Sequence, residues 1–282
     1  MSNSFSDHRR LPFLLFFQSL SEPHDELHCI DSSISAIMNT EMSVRFGIIT
    51  DIHNNVTALE AVISKLKQMD CDRIICCGDI IGIGPCPEET VRFMMGIPGL
   101  TAVRGNHEKY LLDGMPDVYP NEEGMDYPEM EHHRWEHGLL SEASVSFLRS
   151  LPYRVDFDCC SVRISVMHWG MDGEGKFAHH DRYTTEEDLR KVFAGVDSDV
   201  ILFGHSHRRN ICRGDRLYVN AGSLGCPGRD RNSARAAVLT IENGKAEVEP
   251  LDVEYDAGSV VGLIDRLGYP DSDTIRKVFY GL

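Results

Sequence analysis

Short apolar runs rich in β-branched residues recur along the chain, and each run ends abruptly at glycine or polar residues. Runs of this kind are typical of strands that are buried on both faces of a parallel sheet. The first three predicted strands span residues 46–50, 73–77 and 100–103. After the first strand, apolar positions recur at helical spacing, at Leu59, Val62, Leu66 and Met69. The order of strand, helix, strand, helix and strand predicts parallel strands joined by right-handed crossovers.

Capping residues and turn signals place the other elements. Asn54 or Asn55 is predicted to cap the first helix, which ends near Met69. A second helix is predicted to start near Pro87. Further strands are predicted at residues 153–158, 162–167, 199–203, 210–212, 216–219, 236–241 and 246–254. Further helices are predicted at residues 141–151, 185–193, 260–267 and 273–279.

Residues 112–137 interrupt this rhythm, because they hold prolines and many acidic residues without a clear periodicity. A long irregular segment is either functional or a mobile surface loop. As a lid, the segment would offer a substrate its aromatic residues, at Tyr119, Tyr127 and Trp135. Its histidines are predicted to be solvated rather than metal ligands, at His132, His133 and His137. The same prediction applies to His179 and His180.

Side chains of the types that bind metal ions follow five of the predicted strands. The first strand runs into Asp51 and His53, whose side chains leave an extended backbone on the same side. The other groups are Asp79, Asn106 with His107, His168, and His205 with His207. Each group alone is explained by a turn, a helix cap or a hydrogen-bonded core residue. Their coincidence at the carboxyl ends of strands, where open α/β sheets bind ligands, predicts a metal site.

The charge balance limits the classes of partner. The 282 residues include 28 Lys and Arg against 44 Asp and Glu, a formal net charge of −16. A surface this acidic repels phosphate backbones, so avid nucleic-acid binding is not expected. A phosphorylated substrate would need a local positive charge, which bound cations could supply.

The cysteines indicate the compartment. Nine are present, an odd number that includes two adjacent pairs, and several lie inside apolar runs. In a chain of this length they favour a reduced compartment, the cytoplasm, with cysteine serving as a small apolar residue.

Residues 1–42 differ from the rest of the chain. Arg9 and Arg10 precede an apolar run that is broken by Pro12 and is too short to span a bilayer. No convincing signal-peptide cleavage site follows, so neither secretion nor a membrane anchor is predicted. We predict a disordered N-terminal extension or an over-called translation start, followed by one domain over residues 43–282 with a candidate lid at 112–137.

The motifs at the five strand ends occur in the order D-x-H, G-D, G-N-H, a lone H and G-H-x-H. They stand as Asp51-Ile52-His53, Gly78-Asp79, Gly105-Asn106-His107, His168 and Gly204-His205-Ser206-His207. Over residues 43–255 this order resembles the calcineurin-like metallophosphoesterases. The segments GDIIGIGPCPEETV and VNAGSLG are similar to the compact bacterial and archaeal phosphodiesterase branch. The resemblance implies an α/β fold, a four-layer sandwich of two packed mixed β-sheets flanked by helices.

The resemblance also implies a dinuclear metal centre. It assigns three residues to each ion and one bridge: Asp51, His53 and His207; Asn106, His168 and His205; and Asp79 between them. Mixed imidazole and oxygen ligands suit Mn, Fe, Ni, Co or Zn, of which Mn is favoured. Two such ions activate a shared water to attack a small phosphodiester or phosphomonoester. His107 is left without a metal and is implied to act as acid or phosphate ligand near the leaving group.

Two alternative functions stay open. Protein phosphatases of the superfamily carry Asp-Arg shortly after Gly-Asp, whereas residues 82–84 here are Gly-Ile-Gly, which disfavours a protein or dinucleoside polyphosphate phosphatase. A catalytically silent binding module is disfavoured because all eight motif positions are kept.

Three residues depart from the family pattern in ways that bear on substrate range. Asn54 would lie near the metals, Glu108 could orient His107, and Trp169 would narrow the pocket.

Overall fold

The computed structural model describes residues 43–115, 120, 125, 127–178, 184–226 and 232–282. The predictions made for residues 1–42, Tyr119, His179 and His180 lie outside the described residues.

Within these ranges the strands are β1 Ser43–Ile49, β2 Arg73–Cys76, β3 Thr101–Ala102, β4 Arg154–Cys159, β5 Val162–Met167, β6 Val200–Phe203, β7 Asn210–Arg213, β8 Leu217–Asn220, β9 Ser233–Glu242 and β10 Lys245–Glu254. The helices are α1 Val56–Gln68, α2 Pro87–Met95, α3 Asn106–Asp113, α4 Tyr127–His137, α5 Glu142–Ser150, α6 Glu186–Val192, α7 Ala257–Leu267 and α8 Ser272–Tyr280.

The strands form two mixed five-stranded sheets, ordered β10-β9-β1-β2-β3 and β4-β5-β6-β8-β7. In the first sheet, β1, β2 and β3 are parallel, as the sequence predicts, and β9 joins β1 antiparallel. In the second sheet, β5, β6 and β8 are parallel. The carboxyl ends of parallel neighbours share one edge of a sheet, so the polar segments after these strands are brought together.

Alternation along β1 shows how the layers stack. Phe46 and Ile48 pack into a core cluster shared with Ile164 and Leu202 of the second sheet, so this cluster lies between the sheets. Ile49 points the other way, into a cluster lined by helices of the first sheet's outer face. A smaller cluster joins the second sheet to α6, through Leu189. The predicted four-layer α/β sandwich is therefore confirmed.

Helix α1 forms for the reasons that the sequence suggests. Its N-cap is Asn55, whose side chain accepts a hydrogen bond from the Ala58 N–H at 3.0 Å. Three members of the predicted apolar stripe, Leu59, Val62 and Leu66, are fully buried, and the fourth, Met69, is partly buried. Burying each such side chain contributes about 1.5–3 kcal/mol, which fixes α1 against the first sheet.

Two helices depart from the expectations. Helix α3 begins at Asn106, directly inside the G-N-H motif, where a strand end was predicted and a helix cap was left as an alternative. Helix α4 lies within the segment expected to be irregular. The prediction that its histidines are solvated is wrong for His132 and His133, which are 3% and 0% exposed. The lid hypothesis itself stays a prediction; Tyr127 is exposed, whereas Trp135 packs against Tyr269.

No helix in the described part of the chain combines the length and the apolar character needed to cross a bilayer.

Candidate metal centre

The segments that follow β1, β2, β3, β5 and β6 converge at one edge of the sheets. The first two are tied together by backbone hydrogen bonds, in which Asp51 N–H donates to Gly78 O and Ile52 N–H to Asp79 O, at 3.0 and 2.8 Å. Five of the candidate ligands have φ between 50° and 74°, namely Asp51, His53, Asp79, His205 and His207. Left-handed backbone at non-glycine residues costs about 1–3 kcal/mol each and clusters at functional sites. The strained backbone at these five residues therefore directs the candidate ligand side chains toward one site.

One group of candidate ligands consists of Asp51, His53, Asp79 and His207. One ligand atom from each lies within 4.8 Å of the others. His53 Nε2 is 2.8 Å from His207 Nε2, and His207 Nε2 is 3.5 Å from Asp51 Oδ1. His53 Nε2 is 3.9 Å from an oxygen of each carboxylate. Three of the four residues are fully or almost fully buried, and His207 is partly exposed.

A second group shares Asp79 with the first. His168 Nε2 lies 3.1 Å from Asp79 Oδ2 and 3.0 Å from Asn106 Oδ1. His205 Nδ1 lies 3.0 Å from the same Asn106 oxygen. The seven predicted ligands thus fall into two adjoining sets with Asp79 in both, which is the arrangement that a bridging carboxylate would need.

Backbone carbonyls set the orientation of two of the imidazoles. His53 Nδ1 is 3.2 Å from Ile81 O, and His168 Nδ1 is 2.8 Å from Cys77 O. A carbonyl oxygen only accepts hydrogen bonds, so each Nδ1 carries a proton and donates. In a neutral ring this leaves the Nε2 lone pair directed at the centre, as in metal-binding histidines whose other nitrogen is held by the protein.

The electrostatics of the site favour a cation. Among the described residues, the ion pairs of the buried carboxylates Asp51 and Asp79 are all with histidines. Burial raises the pKa of Asp51, against the opposing effect of His207. Burial alone would lower the pKa of His168, but the charge and hydrogen bond of Asp79, together with Asp51 and the Cys77 carbonyl, outweigh burial and raise that pKa to about 9. The donor set of imidazoles, carboxylates and an amide oxygen fits divalent transition-metal ions.

His107 occupies a different position from the ligands. It is the second residue of α3, its N–H donates to Asp79 Oδ1 at 3.1 Å, and its Nε2 is 3.8 Å from Asp79 Oδ2. The ring packs directly over Gly82, where a Cβ would lie 2.7 Å from His107 Cγ. Burial lowers the pKa of His107 well below its usual value. A neutral imidazole therefore stands beside Asp79 with Nε2 facing the site.

Glu108 does not orient His107. Its carboxylate accepts hydrogen bonds from four backbone N–H groups, those of Gly105 at 2.7 Å, Asp79 at 3.1 Å, Ile80 at 2.8 Å and Ile81 at 3.1 Å. The side chain is fully buried, and burial together with the Asp79 charge raises its pKa to about 7. Its role is to hold the segment that carries Asp79.

The other two departures from the family pattern, Trp169 and Asn54, make contacts that the sequence did not predict. Trp169 is buried and packs against Phe193, Phe203 and the ring of His205, so it supports a ligand rather than narrowing a pocket. The Asn54 side chain is buried and donates to Gly84 O at 3.2 Å and to Glu136 of α4. That contact joins the D-x-H segment to α4.

Three residues near the site were not predicted. Cys226 lies within reach of His53 and His207, although burial raises the pKa of its thiol. His133 and Glu136 form a further buried group with His107. The position of Cys226 directly after VNAGSLG was an available signal, whereas nothing local distinguished His133 and Glu136 from solvated residues.

Glycine at position 105 gives a test of the Asp79 position. Its φ of −104° is open to alanine, but a Cβ there would lie 2.8 Å from Asp79 Cγ and closer still to Oδ1. Gly105→Ala is expected to weaken metal binding by about 10–100-fold, the range for disturbed ligand support, as measured by chelator competition. Gly195→Ala is the matched control, because nothing lies within 4 Å of its added Cβ. Equal affinities in the two variants would contradict a ligand role for Asp79.

Residues 44–244 match the family model described as the calcineurin-like phosphoesterase superfamily domain. An uncharacterized protein of Methanocaldococcus jannaschii is 26% identical over 226 residues, covering 74% of this chain and 87% of that protein. A solved metallophosphoesterase from Sphaerobacter thermophilus is 23% identical with a TM-score of 0.61, covering 81% of this chain and 96% of that chain. The solved structure of a hypothetical protein from Pyrococcus horikoshii is 16% identical with a TM-score of 0.70, covering 84% of this chain and 98% of that chain. At these identities the solved structures show a shared fold.

Proposed function

The chain belongs to the calcineurin-like phosphoesterase superfamily, and from that premise we propose that it hydrolyses a small phosphodiester or phosphomonoester with two divalent transition-metal ions. The observation that carries the proposal is the place of Asp79, whose carboxylate contacts both sets of candidate ligands. A protein that uses this fold only as a scaffold has no need to keep two adjoining ligand sets.

In this proposal, one ion is held by Asp51, His53 and His207, and the other by Asn106, His168 and His205, with Asp79 shared. When bound, such a pair of ions polarises the phosphoryl group and activates water. Manganese is the metal that we favour, among Mn, Fe, Ni, Co and Zn.

The chain's own residues supply the remaining functions. The backbone hydrogen bonds between the D-x-H and G-D segments fix the ligand positions before substrate arrives. His107 Nε2 faces the site and would donate to the departing oxygen of the ester. Because the site gains positive charge when loaded, a small phosphorylated substrate can bind despite a net charge of −16.

A reducing compartment, the cytoplasm, is part of the proposal. The cysteines within the described residues form no disulfide bonds, and the sulfur atoms of the adjacent Cys159 and Cys160 are 3.9 Å apart. Nucleic acid is not the proposed substrate, because the acidic surface opposes it.

The proposal is tested by metal content and turnover together. Protein stripped with a chelator should be inactive and should regain turnover of bis-aryl or mono-aryl phosphates when reloaded with one of the five metals. Asp79→Asn is expected to lose bound metal and to reduce turnover by about 10²–10³-fold, since a charge-stabilising metal site contributes several kcal/mol.

Two outcomes would oppose the proposal. Full occupancy by two ions in Asp79→Asn would remove the bridging role. Metal-loaded wild-type protein without turnover of any aryl phosphate would favour the binding-module alternative instead.

A further inference from the structure

Helix α4 turns a carboxylate and an imidazole inward, one helical turn apart. Glu136 and His133 are both fully buried, and His133 Nδ1 lies 2.7 Å from Glu136 Oε1. The other oxygen of Glu136 accepts hydrogen bonds from the Gly82 N–H at 3.1 Å and from Asn54 Nδ2. Among the described residues, its ion pairs are with histidines only, His133 and His137. A buried carboxylate without a formal cation is costly, so this one needs an explanation.

His107 lies against the same pair. Its ring is 4.8 Å from the ring of His133 between centroids, and it packs over Gly82, the residue whose N–H donates to Glu136. One ligand atom from each of His107, His133 and Glu136 lies within 4.8 Å of the others. The three side chains come from two separate helices and are all buried, which is unlike a surface acidic cluster.

Two nitrogens of this group have no hydrogen-bond partner among the described residues, His107 Nδ1 and His133 Nε2. An unpartnered buried polar atom costs about 1–3 kcal/mol. Protonation offers one remedy for the carboxylate, since burial raises the pKa of Glu136 to about 8 and lowers the pKa of His133 to about 4. A neutral Glu136 would still leave His107 Nδ1 without a partner. A cation would bind both the Glu136 carboxylate and His107 Nδ1.

We propose that His107, His133 and Glu136 bind a third divalent transition-metal ion, beside the dinuclear centre and separate from its seven ligands. Two imidazoles and one carboxylate are a ligand set that zinc uses with a further position open. The donor nitrogen of His107 is Nδ1, because Nε2 faces Asp79.

The third ion has a consequence for His107. With Nδ1 occupied by the ion, the ring proton is held on Nε2, the nitrogen that faces Asp79. His107 is thereby fixed as a donor toward a substrate oxygen. This consequence rests on the proposed function, whereas the ion site itself does not.

The test is the number of Zn²⁺ ions that folded protein retains after loading and gel filtration. Wild-type protein is expected to retain three. His133→Ala and Glu136→Gln are each expected to retain one fewer than wild type. His132→Ala is the matched control, because His132 is a buried neighbour on the same helix but is outside the group, and it should retain the wild-type number. Circular dichroism verifies that each variant folds. If His133→Ala does not fold, the ion count of Glu136→Gln, which keeps the side-chain shape, decides the test.

The assignment is overturned if wild type retains only two ions, if both α4 variants retain the wild-type number, or if His132→Ala loses the same ion. Asp79→Asn separates this site from the proposed function. Loss of ions in Asp79→Asn but not in the α4 variants would leave the dinuclear centre and remove the third ion; the reverse result would keep the third ion and remove the dinuclear centre.

Discussion

His107→Asn is expected to slow hydrolysis of an alkyl phosphoester by about 10²–10⁴-fold, the usual contribution of a general acid. The reason is the position of His107 Nε2, which is 3.8 Å from Asp79 Oδ2 and faces the site without belonging to either set of dinuclear ligands. An alkoxide is a poor leaving group and needs a proton, whereas nitrophenolate leaves unaided. The same variant should therefore lose much less rate on a nitrophenyl ester, measured under identical metal loading.

The two-substrate comparison is its own control, because a general loss of folding or of metal lowers both rates alike. Equal losses on the two esters would mean that His107 binds phosphate or shapes the site. Loss of ions from the Asp79 centre in His107→Asn would instead make His107 a ligand of that centre.

Glu108→Ala is expected to lower the free energy of unfolding by about 3–5 kcal/mol, because four buried backbone N–H groups lose their acceptor. In a domain of this size that corresponds to a fall in Tm of roughly 6–20 °C. Metal binding should weaken as well, since three of the four N–H groups belong to Asp79, Ile80 and Ile81, in the segment that carries the shared ligand. Thermal denaturation and chelator competition measure the two effects.

Glu60→Ala is the matched control for this variant, because Glu60 is an exposed carboxylate in a helix and such changes usually stay within about 0.5 kcal/mol. Similar Tm values for the two variants would contradict the structural role given to Glu108.

The strand ends show why much of the site could be predicted. The ligand side chains Asp51 and Asp79 each follow an apolar run that forms a strand, and the parallel pairing of β1 and β2 places those runs side by side. The apolar runs and their abrupt polar endings are local signals, because each can be read within ten residues of sequence. The pairing then follows from the crossover rule for strand–helix–strand units.

The roles of two polar residues, Glu108 and His133, were predicted wrongly, because their burial depends on groups in other parts of the chain. Glu108 was expected to reach His107. Its carboxylate instead accepts hydrogen bonds from the Gly105 N–H, three residues earlier, and from the N–H groups of residues 79–81, which lie in a different segment. His133 was expected to be solvated, because it lies in a polar segment rich in acidic residues and without a clear periodicity.

The sequence by itself determined the parallel strand–helix units of an α/β fold and the residue types that gather at the strand ends, since strand length, helical spacing and strand-end polarity are properties of neighbouring residues. The two-sheet sandwich was implied by the family resemblance of the motifs. Only the tertiary structure decided that α4 is buried through His133 and Glu136, that Gly82 admits the ring of His107, and that Glu108 holds the Asp79 segment. The physical reason is that a polar side chain is stable in the interior whenever distant groups satisfy it, and those partners leave no mark on the sequence around it.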